Sequence, residues 1–187
     1  MTTTALVLAG CSHGREEAGL SVDDLPSIVL QESDLPPSFG RFDEGRQARA
    51  DSPGGARADP ERFGRLDGWK ARFRRAGSPE TPGPLVVESR VDAFDSNDGA
   101  EQEFRAHREE LSAGGALSEA ATVGEESVAI ALEQGVGATA VRYYTIAWRR
   151  GNVTASVVAN GFAQRFSLDD ALSLAQSQDD RIVKTME

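Results

Sequence analysis

The stretch from Thr139 to Asn160 constrains this chain more than any other. Thr139 to Arg149 is β-branched and aromatic, with Val141, Tyr143, Tyr144, Thr145, Ile146 and Trp148. Such residues suit a pleated, half-buried surface. Arg150-Gly151-Asn152 supplies a tight turn, and Val153 to Asn160 supplies the returning strand. Composition and turn chemistry together read as a β-hairpin.

A second hairpin lies earlier. Trp69, Ala71 and Phe73 alternate with Lys70, Arg72 and Arg74, and Leu85, Val87, Ser89, Val91 and Ala93 alternate with Glu88, Arg90 and Asp92. That is the period of a half-buried strand. Pro79, Pro82 and Pro84 mark the loop between them. Phe39 and Phe42 indicate a short edge strand, and Val128, Ile130 and Leu132 share one face of another. Ala100, Phe104, His107 and Leu111 fall at i, i+4, i+7 and i+11, one apolar stripe of a helix from about 98 to 112. Ser167-Leu168-Asp169-Asp170 is a capping box that opens a C-terminal helix. Asp59-Pro60-Glu61 carries the signals of a further short helix, limited by Gly64 and Gly68. Hairpins punctuated by single helices define an α+β fold. The expectation is an antiparallel sheet of about five to six strands with two main helices packed on it. Residues 25–187 form one domain in this reading, with a mobile loop at about 43–58.

The chain has 187 residues, a net charge of −10 and one cysteine. That length can bury a core without disulfides or metal. The negative balance argues against nucleic-acid binding, which needs surplus Lys and Arg to neutralise phosphate. One cysteine excludes an internal disulfide framework and a Cys-rich zinc site.

That cysteine stands in Leu8-Ala9-Gly10-Cys11, an apolar residue and two small residues before Cys, which resembles the bacterial lipobox. The small residues let the backbone enter a signal peptidase, and the Cys11 thiol carries the lipid. Upstream, Thr2, Thr3 and Thr4 stand where a basic region is expected, and Ala5 to Gly10 is shorter than a normal apolar segment. The expectation is a start codon further upstream, with residues 1–11 the end of a lipoprotein signal. Residues 12–24 then read as a polar, flexible tether. The predicted address is the outer face of a membrane in the bacterial cell envelope, with the membrane itself reached through lipid on Cys11.

Gly124-Glu125-Glu126-Ser127, Trp148-Arg149-Arg150-Gly151-Asn152 and the run from Ala175-Gln176 to Asp180-Arg181-Ile182 resemble a family of uncharacterised bacterial lipoproteins. The element order resembles sensor-like lipoprotein domains and, more distantly, the Mog1/PsbP-like layout. The resemblance implies a small α+β domain outside the cytoplasm. It brings no functional residues to carry over.

Candidate sites follow from residue chemistry. Trp69, Phe73, Tyr144 and Trp148 could line a ligand pocket between sheet and helices, since small-molecule sites are mostly apolar. The competing reading is core. Lys70, Arg72 and Arg74 form a basic row that could dock an anionic partner, in a stretch (41–75) with ten basic and six acidic residues. The competing reading is cross-strand pairing with Glu88 and Asp92. Glu103, His107 and Glu110 share a helix face, but no second element signals further ligands, so no metal is expected. Gly135-x-Gly137-x-x-Ala140 fits a dinucleotide fingerprint as a string and fails in context, because a strand follows it. Asn152-Val153-Thr154 matches a glycosylation sequon inside a tight hairpin and is set aside. No nucleophile elbow, phosphate loop or zinc-protease helix occurs. The chain therefore reads as a ligand- or partner-binding, sensor-like lipoprotein with no cofactor and no enzymatic activity. A small apolar ligand or an envelope protein is the expected partner. The alternative is a structural or interaction lipoprotein without a small-molecule site. An acid-based hydrolase would need two buried carboxylates facing one cleft.

Overall fold

The computed structural model describes residues 19–47, 61–114, 116–118 and 122–187. Seven strands, β1 (Gly40–Arg46), β2 (Arg65–Arg74), β3 (Val86–Phe94), β4 (Ala116–Ser118), β5 (Glu126–Gln134), β6 (Val141–Arg150) and β7 (Val153–Phe162), form one sheet. Its order is β1-β2-β3-β7-β6-β5-β4, and every pairing is antiparallel. Among the described residues three α-helices, α1 (Leu25–Ile28), α2 (Asn97–Gly114) and α3 (Leu168–Met186), accompany the sheet. The α+β class and the two long helices are as expected. The six longer strands match the expected number, and the three-residue β4 is an addition at one edge.

Strand alternation sends side chains to two different covers. On one face Phe73, Val87, Val91, Val157, Ile146 and Trp148 join the buried residues of α3 and of the segment from Leu20 to Phe39 in a single cluster. On the other face Ala147 and Val128 meet Phe104 of α2. Each large apolar side chain buried in this way contributes roughly 1.5–3 kcal/mol, so the larger cluster holds most of the driving force.

Polar groups fix how α3 sits on the sheet. Gln178 is fully buried. Its Oε1 accepts from the Ser89 hydroxyl at 2.7 Å, and its Nε2 donates to the Arg90 carbonyl at 2.9 Å. Ser89 Oγ in turn accepts the Leu30 N–H at 2.9 Å. The neighbouring buried Asp179 accepts from Trp148 Nε1 at 3.1 Å and from Arg150 Nε and Nη2 at 2.8 and 2.6 Å. Arg181 grips Asp34 through Nε and Nη2 at 2.7 and 2.9 Å. A one-residue rotation of α3 would break all three sets.

Three expectations are corrected. Residues 19–24, assigned to the tether, belong to the packed unit. Leu20 is buried, and Ser21 caps a 3-10 turn over Val22–Asp24. Asp43 to Arg46, assigned to a mobile loop, lie in β1, which its pairing with β2 extends through Arg46; residues 48–58 lie outside the described residues. Of the short helix expected from Asp59, Asp59 and Pro60 lie outside the described residues, while Glu61–Gly64 form a turn followed by β2, because Gly64 at φ +71° turns the backbone left-handed. The tether residues 12–18 and Cys11 also lie outside the described residues.

Candidate functional site

Register decides where the four aromatic candidates sit. Trp69, Val91, Ala155 and Trp148 form one row across β2, β3, β7 and β6, and Phe73, Val87, Ala159 and Tyr144 form another. All four aromatics face the α3 side. Members of a row lie three strand spacings apart, about 14 Å, and the space above is filled by the N-terminal segment and α3. Phe73 and Trp148 are both 0% exposed, so both are part of the core. Trp69 is half-buried and donates from Nε1 to Glu44 at 3.3 Å. Tyr144 is 7% exposed and belongs to the same core cluster, and its edge reaches an open space at the sheet's end.

That space is a cleft of about 510 Å³ lined by Pro82, Arg142, Tyr144, Gln164, Arg165 and Phe166, with Ala163, Ser167 and Leu168 at the α3 end. Tyr144 meets Phe166 edge to face, with centroids 5.2 Å apart and an interplanar angle of 70°. The corner from Ala163 to Phe166 is built by backbone bonds. Ala163 N donates to Ala140 O at 2.8 Å, and Gly83 N donates to Arg165 O at 2.7 Å. Gly161 is required by close approach. A Cβ there would lie 2.6 Å from the Gly83 carbonyl oxygen and 2.9 Å from Phe166 Cβ. The Pro82–Pro84 wall is fixed by Arg75, whose Nε donates to Pro84 O at 2.7 Å while its guanidinium lies 5.0 Å from the Phe39 ring. Burial lowers the Arg75 pKa from its ordinary value. Behind this wall a second cleft of about 370 Å³ runs between Pro36, Arg75 and the Asp170–Leu174 side of α3.

The charges at the first cleft are partly compensated. Arg142 Nε donates to Glu133 Oε2 at 3.1 Å. Its pKa is raised, first by the Glu133 hydrogen bond and then by the Tyr144 hydroxyl. The exposed Glu80 is held below the usual carboxylate range, chiefly by the Ser78 hydroxyl, with Arg165 a smaller cause. The N-terminus of α3 is capped internally, because Ser167 Oγ accepts from Asp170 N and Asp170 accepts from Ser167 N. The floor is therefore aromatic, and Arg142, Gln164 and Arg165 supply donors at its rim.

The basic row is largely spoken for. Arg72 pairs with Glu88 and reaches Asp43 at 3.6 Å, and Lys70 reaches the same Asp43 at 3.6 Å. Arg74 stacks over Phe42 at 5.1 Å. Cross-strand pairing with Glu88 is as the competing reading has it, while Asp92 pairs instead with Arg65. Glu103 and His107 are buried on α2, and among the described residues no three His, Cys, Asp or Glu side chains gather as a metal site. Of the buried carboxylates among the described residues, Glu88, Asp92 and Asp179 are each tied to arginine. Gly135 to Ala140 forms the turn and 3-10 segment that leads into β6. Asn152 uses its amide inside the fold, which fits the rejected sequon. No described helix is long and apolar enough to cross a membrane.

Sequence reading did not pick out Arg142, Gln164, Arg165 and Phe166 as one site. The available signal was Phe166 standing directly before the Ser167 capping box.

Together these features define an α+β domain with a sheet covered on both faces and a cleft at one end. No family model and no curated protein matches the chain. Among solved structures it is similar to the extracellular domain of PknH from Mycobacterium tuberculosis, at 14% sequence identity and a TM-score of 0.68. The match covers 90% of this chain and 99% of that one. At that identity the likeness is one of fold.

Proposed function

We propose that this chain is a lipid-anchored, extracytoplasmic binding module of the bacterial cell envelope, held by Cys11 and taking a ligand in the cleft at Tyr144. The cleft itself carries the reading. Its volume of about 510 Å³ lies in the range of roughly 300–1,000 Å³ usual for small-molecule sites. Tyr144, Phe166 and Leu168 suit a flat apolar body, and Arg142, Gln164 and Arg165 suit acceptor groups on its edge. The lipobox-like Leu8-Ala9-Gly10-Cys11 and the fold likeness to an extracellular domain support the address. The alternative, an interaction lipoprotein without a small-molecule site, draws on Leu132 and the 85%-exposed Val136 at the β5–β6 hairpin, an apolar tip suited to a protein partner.

The test uses 8-anilinonaphthalene-1-sulfonate, an apolar ring system with an anionic acceptor. Saturable one-to-one binding is expected, weakened about tenfold in Arg142→Gln, since a hydrogen bond to a charged group contributes roughly 1.5–3 kcal/mol. Non-saturable binding, or binding indifferent to Arg142→Gln and Gln164→Ala, sinks the cleft. Mass spectrometry of the membrane-extracted protein tests the address, and a free Cys11 thiol sinks that part.

A further inference from the structure

The strands run between two poles, and the cleft and the chain's entry point lie at opposite ones. Leu20 N donates to Asn152 Oδ1 at 2.8 Å, and Asn152 Nδ2 donates back to Leu20 O at 3.1 Å. A Cβ on Gly19 would lie 3.0 Å from the same side chain. The chain therefore enters the fold beside Asn152, just before β7 begins at Val153. The cleft corner, Ala163 to Leu168, follows the other end of β7 after Phe162. Arg142 and Tyr144 lie at that same end, paired with Gly161 and Ala159. The helix α3 starts at the cleft and returns to the entry pole, where Met186 Cε would lie 2.7 Å from a Cβ on Gly151. Ten residues of β7 at about 3.3 Å each separate the poles by roughly 30 Å.

From this we infer that the cleft is presented to the aqueous side, away from the surface that holds the chain, and takes a water-borne small molecule instead of a bilayer lipid. Which surface that is rests on the anchor reading above; the geometry holds for any attachment just before Gly19. An inverted domain with its cleft against the bilayer would need the entry point about 30 Å above the surface. The eight residue steps from Cys11 to Gly19 reach at most about 28 Å when fully extended. An inverted pose would thus demand that all eight steps be drawn straight, at the conformational cost of ordering every one of them, so the cleft faces away from the surface that holds the chain.

The lipidated chain in vesicles can be tested with a donor dye on Asn97→Cys at the entry pole or on Gln164→Cys at the cleft, because lipid on Cys11 leaves the introduced thiol as the one reactive site. Energy transfer to a headgroup acceptor is expected to be higher from residue 97 than from residue 164. Brominated phosphatidylcholine should leave the residue 164 dye unquenched. Equal or reversed transfer, or quenching at residue 164, overturns the inference. A parallel arm begins the chain with six histidines in place of residues 11–16, which keeps the native spacing to Gly19, and holds it on nickel-chelating vesicles. If the native chain fails to join vesicles while the tagged chain keeps the order, the Cys11 anchor fails and the orientation stands. A reversed order in the tagged arm overturns the orientation whatever holds the chain.

Discussion

Replacing Asn152 by Ala removes one side chain that joins three distant pieces of backbone. Its Oδ1 accepts the Leu20 N–H, and its Nδ2 donates to the carbonyls of Leu20 and Phe94 at 3.1 and 3.0 Å. Leu20 and Phe94 are both buried, so the three freed groups cannot all recover water. A hydrogen bond exchanged for water costs about 0.5–1.5 kcal/mol, and a buried group left unpaired costs roughly 1–3 kcal/mol. Leu20 lies at the margin of the fold, where water can reach part of the gap, so the expected sum is about 3 kcal/mol, or roughly 100-fold in the folding equilibrium. Urea unfolding followed by the fluorescence of Trp69 and Trp148 measures it. Amide exchange at Leu20 should accelerate as well, because the clasp opens before the sheet does. Asn152→Asp should cost more than Ala, since it turns a carboxylate oxygen toward two carbonyl oxygens. A loss under about 0.5 kcal/mol, the range of an ordinary surface substitution, with unchanged Leu20 exchange would refute the clasp.

Gln178→Leu removes both the acceptor of the Ser89 hydroxyl and the donor to Arg90 O. It should cost about 2–4 kcal/mol, and the double change with Ser89→Ala should cost less than the sum of the singles, as expected for directly coupled groups. Gly161→Ala must displace Gly83 or Phe166 and should cost about 1–3 kcal/mol, with dye binding at the cleft weakened in parallel. Arg142→Gln should change stability by less than about 1 kcal/mol, because its pair with Glu133 is solvent-exposed, while weakening the dye. Strict proportionality between dye affinity and stability across these variants would show that the cleft has no binding role of its own. The Glu80 carboxyl, held down by Ser78, should titrate by NMR below the usual range and move up in Ser78→Ala. Its contact contributes above the ordinary carboxylate pKa and is lost as pH falls through the lowered folded value.

The sheet was legible because its strands alternate. Tyr144, Ile146 and Trp148 point one way and their neighbours the other, and the Ser167–Asp170 box marks the start of α3 within a residue. What stayed hidden depends on strand order. The row Trp69-Val91-Ala155-Trp148 exists because β7 pairs with β3, and no local pattern states that pairing. Without it, four aromatics on one face read as a pocket; with it, two strands and their cover separate them. The N-terminal boundary was misplaced for a similar reason. Gly19 and Leu20 look like the end of a polar stretch until Asn152, 132 residues away, supplies the missing hydrogen bonds.

Asn152 thus links the fold to the proposed function. A turn residue is usually free to vary, but here its side chain occupies the hydrogen-bonding groups of an incoming chain and so fixes where that chain enters. The entry point fixes which pole any N-terminal attachment can hold. The β6–β7 hairpin carries the consequence to the other end, because Tyr144 and Arg142 stand at its open side and the β7 exit builds the corner they face. One hairpin therefore carries the attachment clasp at its turn and the cleft at its mouth. Lengthening the chain before Gly19 should leave dye affinity unchanged in solution while raising the height of the cleft above a vesicle. Shortening β6 and β7 by a matched pair of residues, about 7 Å of strand, should lower it and move the corner with it. If the cleft height does not follow strand length, something other than the Asn152 clasp sets the domain's orientation.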